Sequence, residues 1–445
     1  MGFTSIIFLF FVIPFFLCIY NFFPFKFKNF IILLFSFFIL VWGAPRLFIY
    51  FVVISIVNYF AGYFILKIEN KIFKLIFTSF VMLFDIAGGH FIHNRNYCYS
   101  YFLKDFLLDG LYISIFNMNN ISYLLDAYKN RFKFSKNILN YFVYVFMFFK
   151  FFTGPIVPFH RIKGEIERRH IEIKNIVAGV ERLIFGLFKI GVLSYEIGEI
   201  RKFICFKGNQ EISLFSAFIA ASCMFFNFYF YFSGYCDIAN GLLKISGFST
   251  FENFGERIFC SSITKFFKYF NRSFTNYLKF YIFPWAKNKG RIIKFFKYFL
   301  ICFFYSWIFG KCFKTNSIIY IFIIIFLEKL FLNKILVKIP RVFRHIYCYI
   351  LIILFSSIIY FREKNEDLEF ISYLFGFSGA IFDRSFGFVI MFFKFLIVLC
   401  CFFSLRFFLK WLKKPKKKYI NLFRVFEKIL YLVLLLISIM YCLNV

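Results

Sequence analysis

Three stretches of this chain, 1–25, 47–66 and 212–236, run for twenty positions or more without one charged residue. Roughly twenty apolar residues, each rising ~1.5 Å along a helix, cross a hydrocarbon core of about 30 Å. Runs of that length and purity have no place in a water-soluble fold. Further apolar runs lie at 30–42, 74–86, 138–153, 176–193, 297–307, 318–336, 346–361, 388–403 and 429–443. Several are short or interrupted by charge, so some are expected to be tilted, re-entrant or half-membrane helices. The pattern predicts an all-α, polytopic membrane protein with about eleven spans in one multi-pass domain over residues 1–445.

Composition agrees. Hydrophobic residues make up 62% of the 445, with 84 Phe and 29 Tyr. A globular domain holds its apolar fraction near half, because it must cover its surface with polar groups. An excess of this size means that the surface also faces something apolar. The first run has no basic segment ahead of it and no small-residue cleavage site before Lys26, so it is expected to be a retained span and not a secretory signal.

The formal charge of +32 arises from 54 Lys and Arg against 22 Asp and Glu. In a soluble chain this balance would suggest nucleic acid. Here the basic residues cluster between apolar runs, at 67–74, 161–174, 287–297, 338–344 and 410–418, where the positive-inside rule puts them. No nucleic-acid motif accompanies them, and anionic lipid headgroups are the expected partner. The loop carrying Lys413, Lys414, Lys416, Lys417 and Lys418 is the best cytoplasmic marker. The 12 cysteines form no C-x-x-C pair, and no metal centre is expected. Neither a Walker A motif nor an internal repeat is evident, which argues against an ATP-driven pump and a two-fold secondary transporter.

Ionisable and polar residues inside apolar surroundings are the candidates for function. One patch is Gly154-Pro155-Ile156-Val157-Pro158-Phe159-His160-Arg161, where two prolines stop a helix and free its carbonyls. A second, Ser233-Gly234-Tyr235-Cys236-Asp237, closes the run 212–236 and is followed by Asn240, Gly241, Glu252 and Asn253. Asp237 is expected to be hydrogen-bonded within protein or a wet tunnel, away from lipid. A third, 266–281, interleaves basic, polar and aromatic residues and reads as an interfacial or re-entrant helix, with Asn271 inward and Lys268 and Lys279 toward headgroups.

In order along the chain these patches resemble the membrane-bound O-acyltransferase superfamily, in the branch of bacterial alginate O-acetylation and teichoic-acid D-alanylation. The likeness rests on the opening 1–10, on Trp42-Gly43-Ala44-Pro45 and on Ile121-Ser122-Tyr123-Leu124-Leu125-Asp126-Ala127-Tyr128. It continues through Gly154-Pro155-Ile156, Ser233 to Asp237 with Gly241, Glu252-Asn253-Phe254 and Phe361-Arg362. It implies a ring of tilted helices around a central tunnel in a bacterial plasma membrane. It also implies acyl transfer from a thioester donor (acetyl-CoA or an acyl carrier protein) to a hydroxyl of an envelope polysaccharide. An extracytoplasmic esterase-like partner is implied with it.

The pattern breaks at the residues that carry the chemistry. The branch has one histidine in a Trp-His-x-Ser-Leu stretch and another in a Trp-His-Gly stretch, taken as the base that deprotonates the attacking hydroxyl. Here Asn271 stands at the first, in Phe270-Asn271-Arg272-Ser273-Phe274. Ile308 stands at the second, beside Trp307 in Ser306-Trp307-Ile308-Phe309-Gly310. The lipid-modifying branches have asparagine at the first position, and an amide orients substrate by hydrogen bonds without acting as a base. The histidines present are His90, His93, His160, His170 and His345. His90 and His93, next to Gly88-Gly89, are expected in a loop, and His345 at a helix end. Three readings follow: a transferase with a displaced base; a catalytically impaired relative serving as scaffold or conduit; and a channel or transporter using Asp85 and Asp237.

Overall fold

The structure, a computed structural model, describes residues 5, 7–43, 45–94, 106–134, 137–151, 154–205, 212–255, 258–282, 315–360, 364–377, 381–382, 386–412 and 420–443. All regular structure among them is helical. Seven helices are long and apolar enough to cross a membrane: Phe25–Trp42, Leu47–Lys67, Lys71–Gly89, Leu214–Ile245, Arg341–Tyr360, Gly387–Leu409 and Phe423–Leu443. Two shorter apolar helices, Phe8–Phe22 and Ile138–Lys150, accompany them. The chain is thus a polytopic membrane protein. The expected run 297–307 lies outside the described residues. Runs 176–193 and 318–336 lie in continuous helical backbone, 173–205 and 315–338, each carrying a π segment, at Lys189–Ser194 and Glu328–Leu332.

Backbone contacts group the chain into two units. The first comprises Met1–Leu183, Ile238–Phe254 and Asn271–Cys312. It opens with α1 (Ile13–Phe22), α2 (Phe25–Gly43), α3 (Pro45–Lys67) and α4 (Lys71–Asn94). α5 (Phe106–Tyr128), α6 (Ile138–Phe146) and α7 (Phe159–Glu167) follow. α5 packs against α3, α4, α6 and α7. Its polar side chains Asn117, Asn119, Asn120, Ser122 and Asp126 are all buried. No apolar run announces α5, because it faces protein neighbours and not lipid. His90 and His93 lie within α4, not in a loop: Gly88-Gly89 is a notch in a continuous helix.

Arg169, buried after α7, ties the ends of this unit together. It donates to Tyr20 Oη (3.0 and 3.1 Å), to Asn29 Oδ1 (2.7 Å) and to the Ser246 carbonyl (3.0 Å). α10 (Leu214–Ile245) stops just beyond Ile245 because Gly247 adopts φ 83°, letting Phe248 N–H return to the Leu243 carbonyl at 2.9 Å.

The second unit comprises Ile184–Asp237, Gly255–Phe270 and Phe313–Val445. Within it, α9 (Tyr195–Cys205) packs on the helix Phe386–Leu412. α11 (Ile263–Tyr269) packs on the helices Thr315–Leu327 and Arg341–Tyr360. The carboxylate of Glu328, fully buried, caps α11 by accepting from Ile263 N–H (2.8 Å) and Thr264 N–H (2.9 Å). A buried acid inside an apolar segment is stabilised there by donors that a helix start leaves unsatisfied.

Candidate functional site

The third patch does not form one helix. α11 ends at Tyr269 and α12 (Arg272–Tyr277) begins after Asn271, which adopts φ 51°, ψ 60°. A non-glycine residue in the left-handed region is uncommon, asparagine is among those that tolerate it, and such positions gather at functional sites. Asn271 gives α12 no side-chain cap. The cap comes from elsewhere: buried Asn253 accepts from Ser273 N–H at its side-chain Oδ1 (3.2 Å) and from Arg272 N–H at its carbonyl (2.8 Å). The Asn271 carboxamide makes no hydrogen bond among the described residues.

Ser273 carries the network onward, its Oγ accepting from Ile156 N–H at 3.1 Å. The turn around Gly154 and Pro155 is therefore joined to the Asn271 segment. A Cβ on Gly154 would stand 2.4 Å from the Lys150 Cα, so only glycine permits this turn. Tyr144 Oη holds its far side by donating to the Val157 carbonyl at 2.9 Å. Asn253, Asn271, Gly154 and Pro155, distant in sequence, belong to one bonded frame.

A second cluster in the same unit was not singled out by sequence reasoning. Asp126, fully buried, accepts at Oδ2 from both the backbone N–H and the ring Nδ1 of His160, each at 2.9 Å. At Oδ1 it accepts from Tyr281 Oη (2.8 Å) and from Arg131 (3.2 Å). Burial, with Tyr144 and Asp126 nearby, pushes the Tyr281 phenol far above its ordinary range, so its single proton goes to Asp126. Ser122 Oγ, 2.9 Å from Tyr281 Oη, must then donate to it, and accepts from Phe159 N–H at 3.2 Å. A carboxylate only accepts, so the bond at Nδ1 carries its proton on His160, and in the neutral ring Nε2 is then the acceptor. The ring stacks on Phe280 at 5.2 Å, and Arg131 and Arg161 lie 4.1 and 5.6 Å from the same ring centre. Burial and the neighbouring Arg131 lower the Lys129 ammonium. The available signals were Asp126 in the Ser-Tyr-x-x-Asp-x-Tyr element and His160 in the proline patch.

Of the second patch, Ser233 to Asp237 belong to the second unit and Asn240, Gly241 and Glu252 to the first. Ser233 and Tyr235 are buried on α10, and Tyr235 packs edge-on against Tyr231 at 4.9 Å. Gly234 meets the helix Ile173–Phe188 (α8) and its continuation so closely that a Cβ would lie 2.9 Å from the Gly186 carbonyl. Asp237 is 15% exposed at its side chain and pairs with Lys189 Nζ at 2.5 Å. Trp307 and Ile308 lie outside the described residues, as does Phe361-Arg362.

Helices of membrane-crossing length and a buried polar frame joining the Gly154 turn, Asn253 and the Asn271 segment together define a polytopic membrane scaffold. The family model described as MBOAT, membrane-bound O-acyltransferase family, matches residues 60–306, and the chain belongs to this family. A probable alginate O-acetylase AlgI of Pseudomonas fluorescens is 24% identical over 284 residues, covering 64% of this chain and 56% of the relative. The probable alginate O-acetylase AlgI of Azotobacter vinelandii is 24% identical over 296 residues, covering 64% and 59%. A peptidoglycan O-acetyltransferase of Helicobacter pylori is 24% identical over 268 residues, covering 52% and 51%. The chain thus spans little more than half the length of these curated relatives.

Proposed function

We propose that this chain is the membrane component of a system that O-acetylates a cell-envelope polysaccharide in a bacterial plasma membrane, and that its own catalysis is impaired. The reaction class is acyl transfer: a hydroxyl oxygen attacks the carbonyl of an acyl thioester, the carbon–sulfur bond breaks, and the thiolate leaves. The observation that carries the proposal is the frame around Asn271. Asn271, which the resemblance sets at the family's first histidine position, sits in a left-handed turn whose segment is tied to Asn253 and the Gly154 turn. That frame supports a retained substrate-orienting site. An amide cannot take the hydroxyl proton near neutral pH, and Ile308 at the second position offers no lone pair. General-base catalysis contributes typically ~10² to 10⁴-fold, so transfer is expected to fall by about that factor. The test is acetyl transfer from acetyl-CoA to an alginate or peptidoglycan acceptor by the protein in nanodiscs, with an esterase-like partner added or withheld.

One observation favours a second reading, an active transferase with a displaced base. His160 has an acidic orienter at Nδ1 and an acceptor lone pair at Nε2, which is how a general base is held. In this reading Nε2 takes the hydroxyl proton and returns it to the departing thiolate. Arg131 and Arg161 beside it suit the phosphates of a coenzyme A or phosphopantetheine donor. Transfer lost on His160→Gln, in a protein that still folds, would favour this reading over the first.

A further inference from the structure

Between α3, α4 and α5 lies a group of buried polar side chains that the acyl-transfer reading does not use. Asp85, on α4, is fully buried within the membrane-crossing helix Lys71–Gly89. Asn58 of α3 donates from Nδ2 to Asp85 Oδ1 at 2.9 Å, and Asn117 of α5 donates from Nδ2 to the Asp85 carbonyl at 3.2 Å. Asn117 reaches that carbonyl only because residue 89 is glycine: a Cβ there would stand 2.2 Å from Asn117 Nδ2.

These bonds use the amide nitrogens and leave the oxygens. Asp85 Oδ2, Asn58 Oδ1 and Asn117 Oδ1 are buried and have no hydrogen-bond partner among the described residues, and the same holds for Asn119 Oδ1 and Tyr50 Oη. The amide orientations are fixed by chemistry, since only the nitrogen of each can donate to a carboxylate or carbonyl. The three amide oxygens can only accept, and so can Asp85 Oδ2 in the carboxylate form. Asp85 also pairs with no lysine or arginine among the described residues. A carboxylate in hydrocarbon needs a compensating charge, and buried acceptors need something electropositive.

We propose that Asp85, Asn58 and Asn117 form a binding site for one alkali-metal cation inside the membrane. Carboxylate and amide carbonyl oxygens are ligands that a hard monovalent cation takes, and one cation both neutralises Asp85 and satisfies the surplus acceptors. Asn58 on α3, Asp85 on α4 and Asn117 on α5 are brought together by their own bonds, so occupancy clamps these three helices. The site is independent of the acyl-transfer reading and survives its failure.

The test uses the full-length protein in nanodiscs at fixed pH and ionic strength, with N-methylglucamine replaced stepwise by Li⁺, Na⁺ or K⁺. The expected result is a saturable rise in the apparent Tm with at least one of these ions, and binding of one radiolabelled ²²Na⁺ or ⁸⁶Rb⁺ per chain. Both are expected to vanish in Asp85→Asn, which keeps the shape and the Asn58 bond. Should that variant fail to fold, Asn58→Ser keeps the carboxylate, removes one ligand oxygen, and is expected to weaken the apparent affinity at least tenfold. Absence of any ion-specific shift in the native protein overturns the proposal. So does a stability that follows pH alone, which would mean that Asp85 takes a proton instead, and so does ion binding unchanged in Asp85→Asn.

Discussion

At the level of single residues, the unusual feature is a division of labour between two asparagines. Asn271 holds the left-handed turn, and Asn253 supplies the cap that Asn271 does not. Replacing Asn253 by alanine is expected to destabilise the protein by about 1 kcal/mol, the usual value of a helix cap, read as a lowered Tm in nanodiscs. Asn271→Gly is expected to cost far less, because glycine adopts the same backbone without a side-chain penalty. Asp126 is a more demanding position. Four donors converge on its two oxygens, and an amide in its place would turn a donor toward one set of them. Asp126→Asn is expected to cost about 1–3 kcal/mol, the range for stranding buried partners, and to abolish any transfer that depends on His160. Both Asn271 and Asn253 stood out in the sequence by resemblance. Their bonding partners did not, because backbone donors such as Ser273 N–H carry no sequence signature.

Among the elements, hydropathy made the long apolar helices legible and hid the one on which both clusters converge. The segments 47–66, 212–236 and 346–361 became helices Pro45–Lys67, Leu214–Ile245 and Arg341–Tyr360. α5 was recognised only through its terminal motif, because Asn117, Asn119, Asn120 and Ser122 lower its hydropathy. A helix surrounded by other helices need not be apolar, so a scale built on lipid exposure passes over it. The same reasoning explains the misplaced loop at Gly88-Gly89: paired glycines mark a turn in water but a close helix approach in a membrane. The π turn Lys189–Ser194 offers a test of element pairing, since its Lys189 meets Asp237 of α10. Lys189→Met alone is expected to cost about 3–5 kcal/mol, as it leaves a carboxylate without its cation in a poorly hydrated setting. Lys189→Met combined with Asp237→Leu is expected to recover most of that loss. Thermal unfolding of both variants checks it, and equal destabilisation would mean that the pair contributes through packing and not charge.

For the molecule as a whole, family membership and an all-helical, many-span architecture were readable from the order of a few short motifs between apolar runs. What remained hidden was three-dimensional: that Gly154, Asn253 and Asn271 share one bonded frame, and that His160 is oriented by Asp126. In the proposed reading this frame persists while the proton acceptor of the family's chemistry does not. The most direct measurement is the rate of acetyl transfer from labelled acetyl-CoA to alginate or peptidoglycan by the native protein in nanodiscs, beside a variant with all five histidines replaced. The native rate is expected to lie about 10² to 10⁴-fold below that of a histidine-bearing family member, and to change little when the histidines are removed. Transfer by the native protein at the histidine-bearing rate would contradict it, whether or not that rate survives in the variant.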